Sequence, residues 1–119
     1  MSEIREWKFL VREIINAADR IEEKIKNHDF ESFLDDEDCQ DIVERRLQIL
    51  TKATSRIPEN IQDKYNDIPW KKIRGMRNIL AHEYHSVEKQ TDRRILWDTI
   101  TISVPVLKKQ LLSLLESKK

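Results

Sequence analysis

Glycine and cysteine are nearly absent from this chain, which has one of each among 119 residues, together with three prolines. So few turn-forming residues disfavour β-sandwich and dinucleotide-binding folds. The single cysteine, Cys39, excludes an intramolecular disulfide and favours a reducing compartment, so we expect a cytoplasmic protein with Cys39 in its core. The N-terminus lacks the apolar stretch of a signal peptide and no apolar run reaches about 18 residues, so no membrane span or membrane partner is expected.

Net charge is also absent, because 22 Lys and Arg residues balance 22 Asp and Glu residues. A neutral chain does not attract nucleic acid over its whole surface, so any such contact must be local. Two segments carry local charge. Residues 29–41 contain seven acids and no Lys or Arg, a pattern typical of helix N-termini, whereas residues 70–84 carry four bases against Glu83 alone.

The abundant residues, chiefly Leu, Ile, Glu, Lys and Arg, follow a helical period. Apolar positions recur at intervals of three and four, which predicts an all-α, antiparallel helical bundle of about five helices in a single domain, residues 1–119. The predicted helices span residues 4–25, about 37–56, 58–65, from 69 onward through the basic segment, and 92–115, with a short helical turn at 30–34.

Caps and prolines set the ends of these helices. Asp29 and Asp36 are each placed to cap the helical segment that follows. Pro58 and Pro69 suit the first position of the two helices that they precede. Pro105 interrupts the apolar stripe of the last helix, so we expect a kink or break about one turn earlier.

The densest chemistry lies in residues 77–84, which read Arg-Asn-Ile-Leu-Ala-His-Glu-Tyr. Arginine stabilises phosphate charge and histidine moves protons near neutral pH. At about 100° per residue, Arg77 and Tyr84 fall inside the apolar arc of Trp70 and Ile73, where a guanidinium needs a partner. His82 lies five positions beyond Arg77, so the two side chains converge only if the helix ends near His82 or if a second subunit contributes the other half.

Metal and phosphate-loop chemistries do not fit the sequence. The histidines at 28, 82 and 85 lack a metal-ligand spacing, and Cys39 lies far from His82 along the chain. The lone glycine, Gly75, excludes a glycine-rich phosphate loop. Neither a metal nor another cofactor is therefore predicted.

Metal-independent phosphoryl chemistry does fit. The His82 imidazole can exchange a proton with a ribose 2′-hydroxyl or with the leaving oxygen, while Arg77 stabilises the charged phosphorane. His85 is a weaker second candidate for the proton transfer. For Arg77 the competing interpretation is a structural ion pair with an acid of the second long helix.

The spacing of Arg77, His82 and Tyr84 matches the Arg-x4-His-x-Tyr motif, and in this the chain resembles HepT-like toxins of the HEPN superfamily. One departure is Thr51-Lys52-Ala53, where family members commonly have Gly-Glu-Ala, so Lys52 reverses a charge. Segments similar to the family's landmarks extend along most of the chain, at residues 33–36, 44–50, 68–76 and 104–107 and at Trp97.

The resemblance implies a homodimer in which two motifs meet across the dyad, acting as a metal-independent endoribonuclease toxin of a type VII-like toxin–antitoxin system. By this resemblance His82 is the acid or base, Arg77 binds the scissile phosphate, and Asn78 orients the imidazole or the RNA. The implied partners are substrate RNA and an MNT-type nucleotidyltransferase antitoxin, which inhibits the toxin by AMPylation of Tyr84. The candidate contacts to the RNA backbone are Lys71, Lys72 and Arg74.

A second class of function stays open. The chain could be a non-catalytic helical module that binds a nucleotide or a partner nucleotidyltransferase, because helical bundles host many functions and a motif can outlive its activity. We expect Trp70, Met76 and Trp97 to pack in the core or in the dimer interface. For Trp70 the alternative is that it lines the cleft of the predicted site.

Overall fold

The computed structural model describes residues 2–78 and 89–116. Within these residues the chain is helical and forms no strand, which confirms the all-α prediction. No helix in this part of the chain is long and apolar enough to cross a membrane. The helices are α1 (Ser2–Ile25), α2 (Phe30–Leu34), α3 (Glu37–Ser55), α4 (Glu59–Lys64), α5 (Trp70–Gly75), α6 (Lys89–Asp98) and α7 (Val104–Glu116), with a π-helical turn at Thr99–Ser103.

The core lies along α1, which packs against α3 on one side and α7 on the other. The apolar stripe predicted for α1 is buried from Trp7 to Ile25, and it meets Leu47 and Leu50 of α3, which are fully buried. Lys108 of α7 adds a polar link to α1, since its Nζ lies 2.6 Å from Asp19 and 3.0 Å from Glu22. Burial of these stripes is the main stabilising contribution to such a bundle.

The predicted caps are present at α2 and α3. Asp29 accepts a hydrogen bond from Ser32 N at 2.9 Å and its own N–H donates to Ser32 Oγ, which forms a capping box. Asp36 accepts from Cys39 N at 3.0 Å and so caps α3. Cys39 is fully buried, as predicted.

The two proline positions differ by one residue from the prediction. Pro58 and Pro69 lie at the N-cap of α4 and α5, one residue before the first helical position. Their backbones leave the helical region through ψ angles of 144° and 70°, which the fixed proline φ permits. The missing proline N–H has no consequence there, because an N-cap N–H has no partner within the helix.

The break expected in the last helix is the π-helical turn. Val104 N–H donates to Thr99 O, a bond that spans five residues instead of four. Pro105 lacks the N–H that a regular α-helix would need at this point, so the wider turn precedes it. The apolar stripe continues through the turn, and its six predicted members are buried: Leu96, Ile100, Val104, Leu107, Leu111 and Leu114.

Candidate nucleic-acid interface

The short helix α5 carries the start of the basic segment and is anchored by its apolar side. Trp70 and Ile73 are buried, and Trp70 Nε1 donates a hydrogen bond to Tyr65 O at 3.1 Å. Met76, directly after the helix, is buried as well. Trp70 and Met76 are therefore core residues, as expected. Trp70 is not among the described residues that line the cleft presented below.

The prediction that Arg77 lies inside the apolar arc is wrong, because its side chain is exposed. α5 ends at Gly75, and Met76, with φ −61° and ψ −20°, donates its N–H to Ile73 O three residues back at 3.1 Å, which is a tighter turn than the α-helical conformation that Arg77 and Asn78 resume. A count of about 100° per residue holds only within one continuous helix, so it does not carry from Trp70 through this turn to Arg77. Asn78 is likewise exposed.

Arg77 borders a cleft of about 860 Å³ that runs along the solvent face of α3. Of the described residues that line the cleft, four are cationic and one, the half-buried Glu13 of α1, is a carboxylate. The three cations that α3 and its C-cap residue contribute are all exposed. These three residues, which we call the α3 cationic face, are Arg45, Lys52 and Arg56.

The spacing of the α3 cationic face explains its geometry. Intervals of seven and four residues place Arg45, Lys52 and Arg56 on one side of a helix. Eleven residues at a rise of about 1.5 Å separate the first from the last by roughly 16 Å. The cations are thus spread along the cleft and are not gathered at one point.

The competing interpretation of Arg77 as half of a structural ion pair is not supported. Among residues 7–78 and 93–116, whose side chains the structure describes, no carboxylate lies within ion-pair distance of the Arg77 guanidinium. The buried acid of α3 is Glu44, and its Oε2 lies 2.7 Å from Nη1 of Arg93 on α6. Arg77 is consequently available to a ligand in the cleft, as far as the described residues are concerned.

The three candidate RNA-backbone contacts do not share this cleft. Lys71 and Lys72 are exposed, and Lys72 borders a separate apolar cavity of about 150 Å³ between α5 and α7. Arg74 is half-buried and donates from Nη1 to Gln62 Oε1 at 2.6 Å. The structure therefore groups Arg77 with the cations of α3, and not with those of its own segment.

His82 and Tyr84 lie outside the described residues, as does His85. The convergence of His82 on Arg77, the role of Tyr84 and the pairing of two subunits remain predictions.

Sequence reasoning missed the α3 cationic face, although its spacing was a usable signal. Exposed Lys and Arg on a solvent-facing helix are usually solubilising charges, and only the position of Arg77 across the cleft sets these three apart.

A second grouping that the sequence did not suggest joins His28, Asp36 and Cys39, whose ligand-type atoms all lie within 4.8 Å of one another. Both Asp36 oxygens are already bonded, one to Cys39 N and the other to His28 Nε2 at 2.9 Å. The hydrogen bond with His28, followed by that from Cys39 N, lowers the pKa of Asp36, and burial raises the pKa of the Cys39 thiol. A helix cap accounts for this arrangement.

The described geometry is that of an all-helical domain with a cationic cleft suited to a phosphate-containing ligand. The family model described as "Ribonuclease HepT-like" matches residues 14–114, so the chain belongs to the HepT-like ribonuclease family. This membership confirms the resemblance drawn from the motif.

Two curated relatives cover nearly the same length. "Putative RNase TTE0752" of Caldanaerobacter subterraneus subsp. tengcongensis is 34% identical over 106 residues, which are 89% of this chain and 91% of the relative. "Probable ribonuclease HepT" of Thermococcus cleftensis is 36% identical over 104 residues, which are 87% of this chain and 91% of the relative. No solved structure matches the chain significantly.

Proposed function

We propose that this protein is a metal-independent endoribonuclease and the toxin of a type VII-like toxin–antitoxin pair. The observation that carries the proposal is the position of Arg77, which is exposed in a cationic cleft with no carboxylate partner among the described residues. Membership of the HepT-like ribonuclease family and the ribonuclease names of the relatives support it.

The proposed reaction uses the substrate's own nucleophile. His82 accepts the proton of the ribose 2′-hydroxyl, and the 2′-oxygen attacks phosphorus. The bond from phosphorus to the 5′-oxygen then breaks, and that oxygen receives a proton from an imidazolium, supplied by the same histidine or its copy in a second subunit. Arg77 stabilises the negative charge of the phosphorane, and Asn78 orients the imidazole or the RNA.

Regulation follows from charge in the same cleft. A nucleotidyltransferase antitoxin that transfers AMP from ATP to the Tyr84 hydroxyl, with release of pyrophosphate, adds a phosphodiester whose negative charge pairs with Arg77. The modified site is thereby occupied by an internal anion that excludes the phosphates of RNA.

The test is RNA cleavage by purified protein in EDTA. His82→Ala and Arg77→Ala should each lower the rate by about 100-fold or more. Arg20→Ala is a matched control, because Arg20 is an exposed arginine of α1 that does not line the cleft. Equal RNA decay with the wild type and all three variants would overturn the nuclease proposal and leave a non-catalytic binding module.

Tyr84→Phe separates regulation from catalysis. We expect this variant to retain cleavage but to escape inhibition by the transferase and ATP. Mass spectrometry should find one or more AMP units on Tyr84 of the wild type and none on Tyr84→Phe. Loss of cleavage by Tyr84→Phe would instead assign the hydroxyl a part in the reaction.

A further inference from the structure

We infer that the α3 cationic face is a track for the RNA backbone, which holds an extended single-stranded segment beside the scissile phosphate. The inference rests on the proposed function of Arg77 and adds to it three substrate-binding residues and a substrate shape. Its basis is the joint lining of one cleft by Arg77 and by Arg45, Lys52 and Arg56.

The cations on this part of α3 outnumber the acids around them, because the only carboxylate in the described lining of the cleft is that of Glu13 on α1. Residues 45–56 contain no acid, and the acids of α3 all precede Arg45. Among the described residues, no carboxylate lies within ion-pair distance of Arg45, Lys52 or Arg56. Like charges along one cleft repel each other, so their arrangement stabilises the cleft only when an anion is bound.

The helix dipole does not account for this face. Cations are favoured in the last turn of a helix, which explains Lys52 and Arg56 at the C-terminal end of α3. Arg45 lies about three turns before that end, where the dipole has little effect. Its position on the same side of the helix therefore requires another reason, which a ligand extended along the cleft provides.

The shape of the cleft favours a strand over a mononucleotide. The α3 cations extend over roughly 16 Å, and Arg77 adds a fourth charge from a different element. The described lining contains no aromatic side chain on which a base could stack. Contacts from this face are thus to phosphates, and they give affinity and register with little sequence preference.

The experiment measures binding of a fluorescent, unstructured RNA 12-mer to the His82→Ala protein at several salt concentrations, with fluorescence anisotropy as the readout. Arg45→Gln/Lys52→Gln/Arg56→Gln should weaken binding about 10-fold or more at 50 mM salt. It should also reduce the slope of log K against log salt by about 2, at about 0.7 per lost phosphate contact.

The matched control is Arg20→Gln/Lys26→Gln/Lys109→Gln, which removes the same charge from exposed positions outside the cleft. A slope change equal to that of the cleft triple variant would overturn the track, because it would reflect net charge alone. Competition by polyglutamate as effective as that by RNA of equal charge would also overturn it, in favour of an acidic protein segment.

Cleavage distinguishes failure of the track from failure of the nuclease. With His82 intact, the wild type should cleave a 12-mer faster than a dinucleotide, and the cleft triple variant should lose this advantage while still cleaving the dinucleotide. If the wild type cleaves RNA and the triple variant is unchanged in RNA binding and in length dependence, the proposed nuclease function is supported and the RNA track on α3 is overturned. If the wild type binds the RNA 12-mer through the α3 cationic face but does not cleave it, the RNA track is supported and the nuclease function is overturned.

Discussion

The two parts of α3 differ in how their charges are paired, and we call residues 36–44 its paired end and residues 45–56 its cleft end. At the paired end, Asp36 is bonded to His28, and Glu44 is paired with Arg93. At the cleft end, the cations of the α3 cationic face have no ion pair among the described residues. Glu44 and Arg45 are adjacent in sequence, yet one is buried against α6 and the other is exposed in the cleft.

This difference separates charges that hold helices together from charges that are available to a ligand. The paired end connects α3 to its neighbours, and Gln40 contributes by donating from Nε2 to Phe33 O at 2.7 Å and to Leu34 O at 3.1 Å. Substitutions at this end should therefore change the free energy of unfolding. Substitutions at the other end should change ligand binding instead.

The largest effect on stability is expected at Glu44. Glu44→Leu leaves the largely buried guanidinium of Arg93 without that carboxylate and should lower the free energy of unfolding by about 3 kcal/mol. The double variant Glu44→Leu/Arg93→Met should lose less than the single one, because both charges are gone. Urea titration measures both, with Asp41→Asn, an exposed acid of the same helix, as the control. A loss below about 0.5 kcal/mol in Glu44→Leu would contradict a structural role for the pair.

Asp36 should have a smaller, pH-dependent effect. Asp36→Ala removes the cap of α3 and should lower Tm at pH 7 by roughly 3–8 °C, while Asp36→Asn keeps a capping oxygen and should lose less. The pKa of Asp36 is lowered below 3.8 in the folded protein, so the contribution of its charge is complete above about pH 4 and is lost as pH falls through the folded pKa. The Tm gap between the wild type and Asp36→Asn should therefore narrow in acid. A gap that stays constant down to pH 2.5 would contradict this assignment.

A substitution at Gly75, the last residue of α5, tests whether the turn at Met76 that precedes Arg77 requires glycine beside it. A Cβ added at Gly75 meets nothing within 4 Å, and the glycine does not have positive φ. Gly75→Ala should thus raise the free energy of unfolding by about 0.5–1 kcal/mol, through helix propensity and reduced freedom of the unfolded chain. RNA cleavage should stay unchanged. A large loss of cleavage with raised stability would mean that the turn needs glycine to position Arg77.

The smallest effect on stability is expected at the cleft. Arg45→Gln/Arg56→Gln should change the free energy of unfolding by no more than about 0.5 kcal/mol, because both side chains are exposed and the substitution relieves repulsion. Thermal and urea unfolding at low salt measure the change. A loss of about 2 kcal/mol or more would place these arginines with the structural charges and remove the contrast between the two ends of α3.

Local patterns predicted most of the fold. The stripe of α1, the caps at Asp29 and Asp36 and the break before Pro105 all depend on residues within a few positions of one another, and all are confirmed. The exposure of Arg77 was not predictable in this way, because α5 ends at Gly75 and a tighter turn at Met76 interrupts the regular count of helical angles.

The cleft could not be predicted from the sequence for a different reason. Arg45 and Arg77 are 32 positions apart, and periodicity within α3 does not tell which other element faces its solvent side. The proximity of His28 to Cys39 likewise depends on how the chain turns between α1 and α3. Tertiary packing decides such groupings, whereas the motif at residues 77–84 located only part of the site.

The π-helical turn at Thr99–Ser103 sets the rotation of α7 relative to α6, and each of these two helices forms an ion pair with a different long helix. α6 before it directs Arg93 toward Glu44 of α3, and α7 after it directs Lys108 toward Asp19 and Glu22 of α1. Without the extra residue, a continuous α-helix would rotate α7 by about 100° relative to α6. Arg93 could then reach α3, or Lys108 could reach α1, but the two ion pairs could not both form. The extra residue therefore allows the continuous helical segment from α6 to α7 to form ion pairs with both long helices of the bundle, α3 and α1.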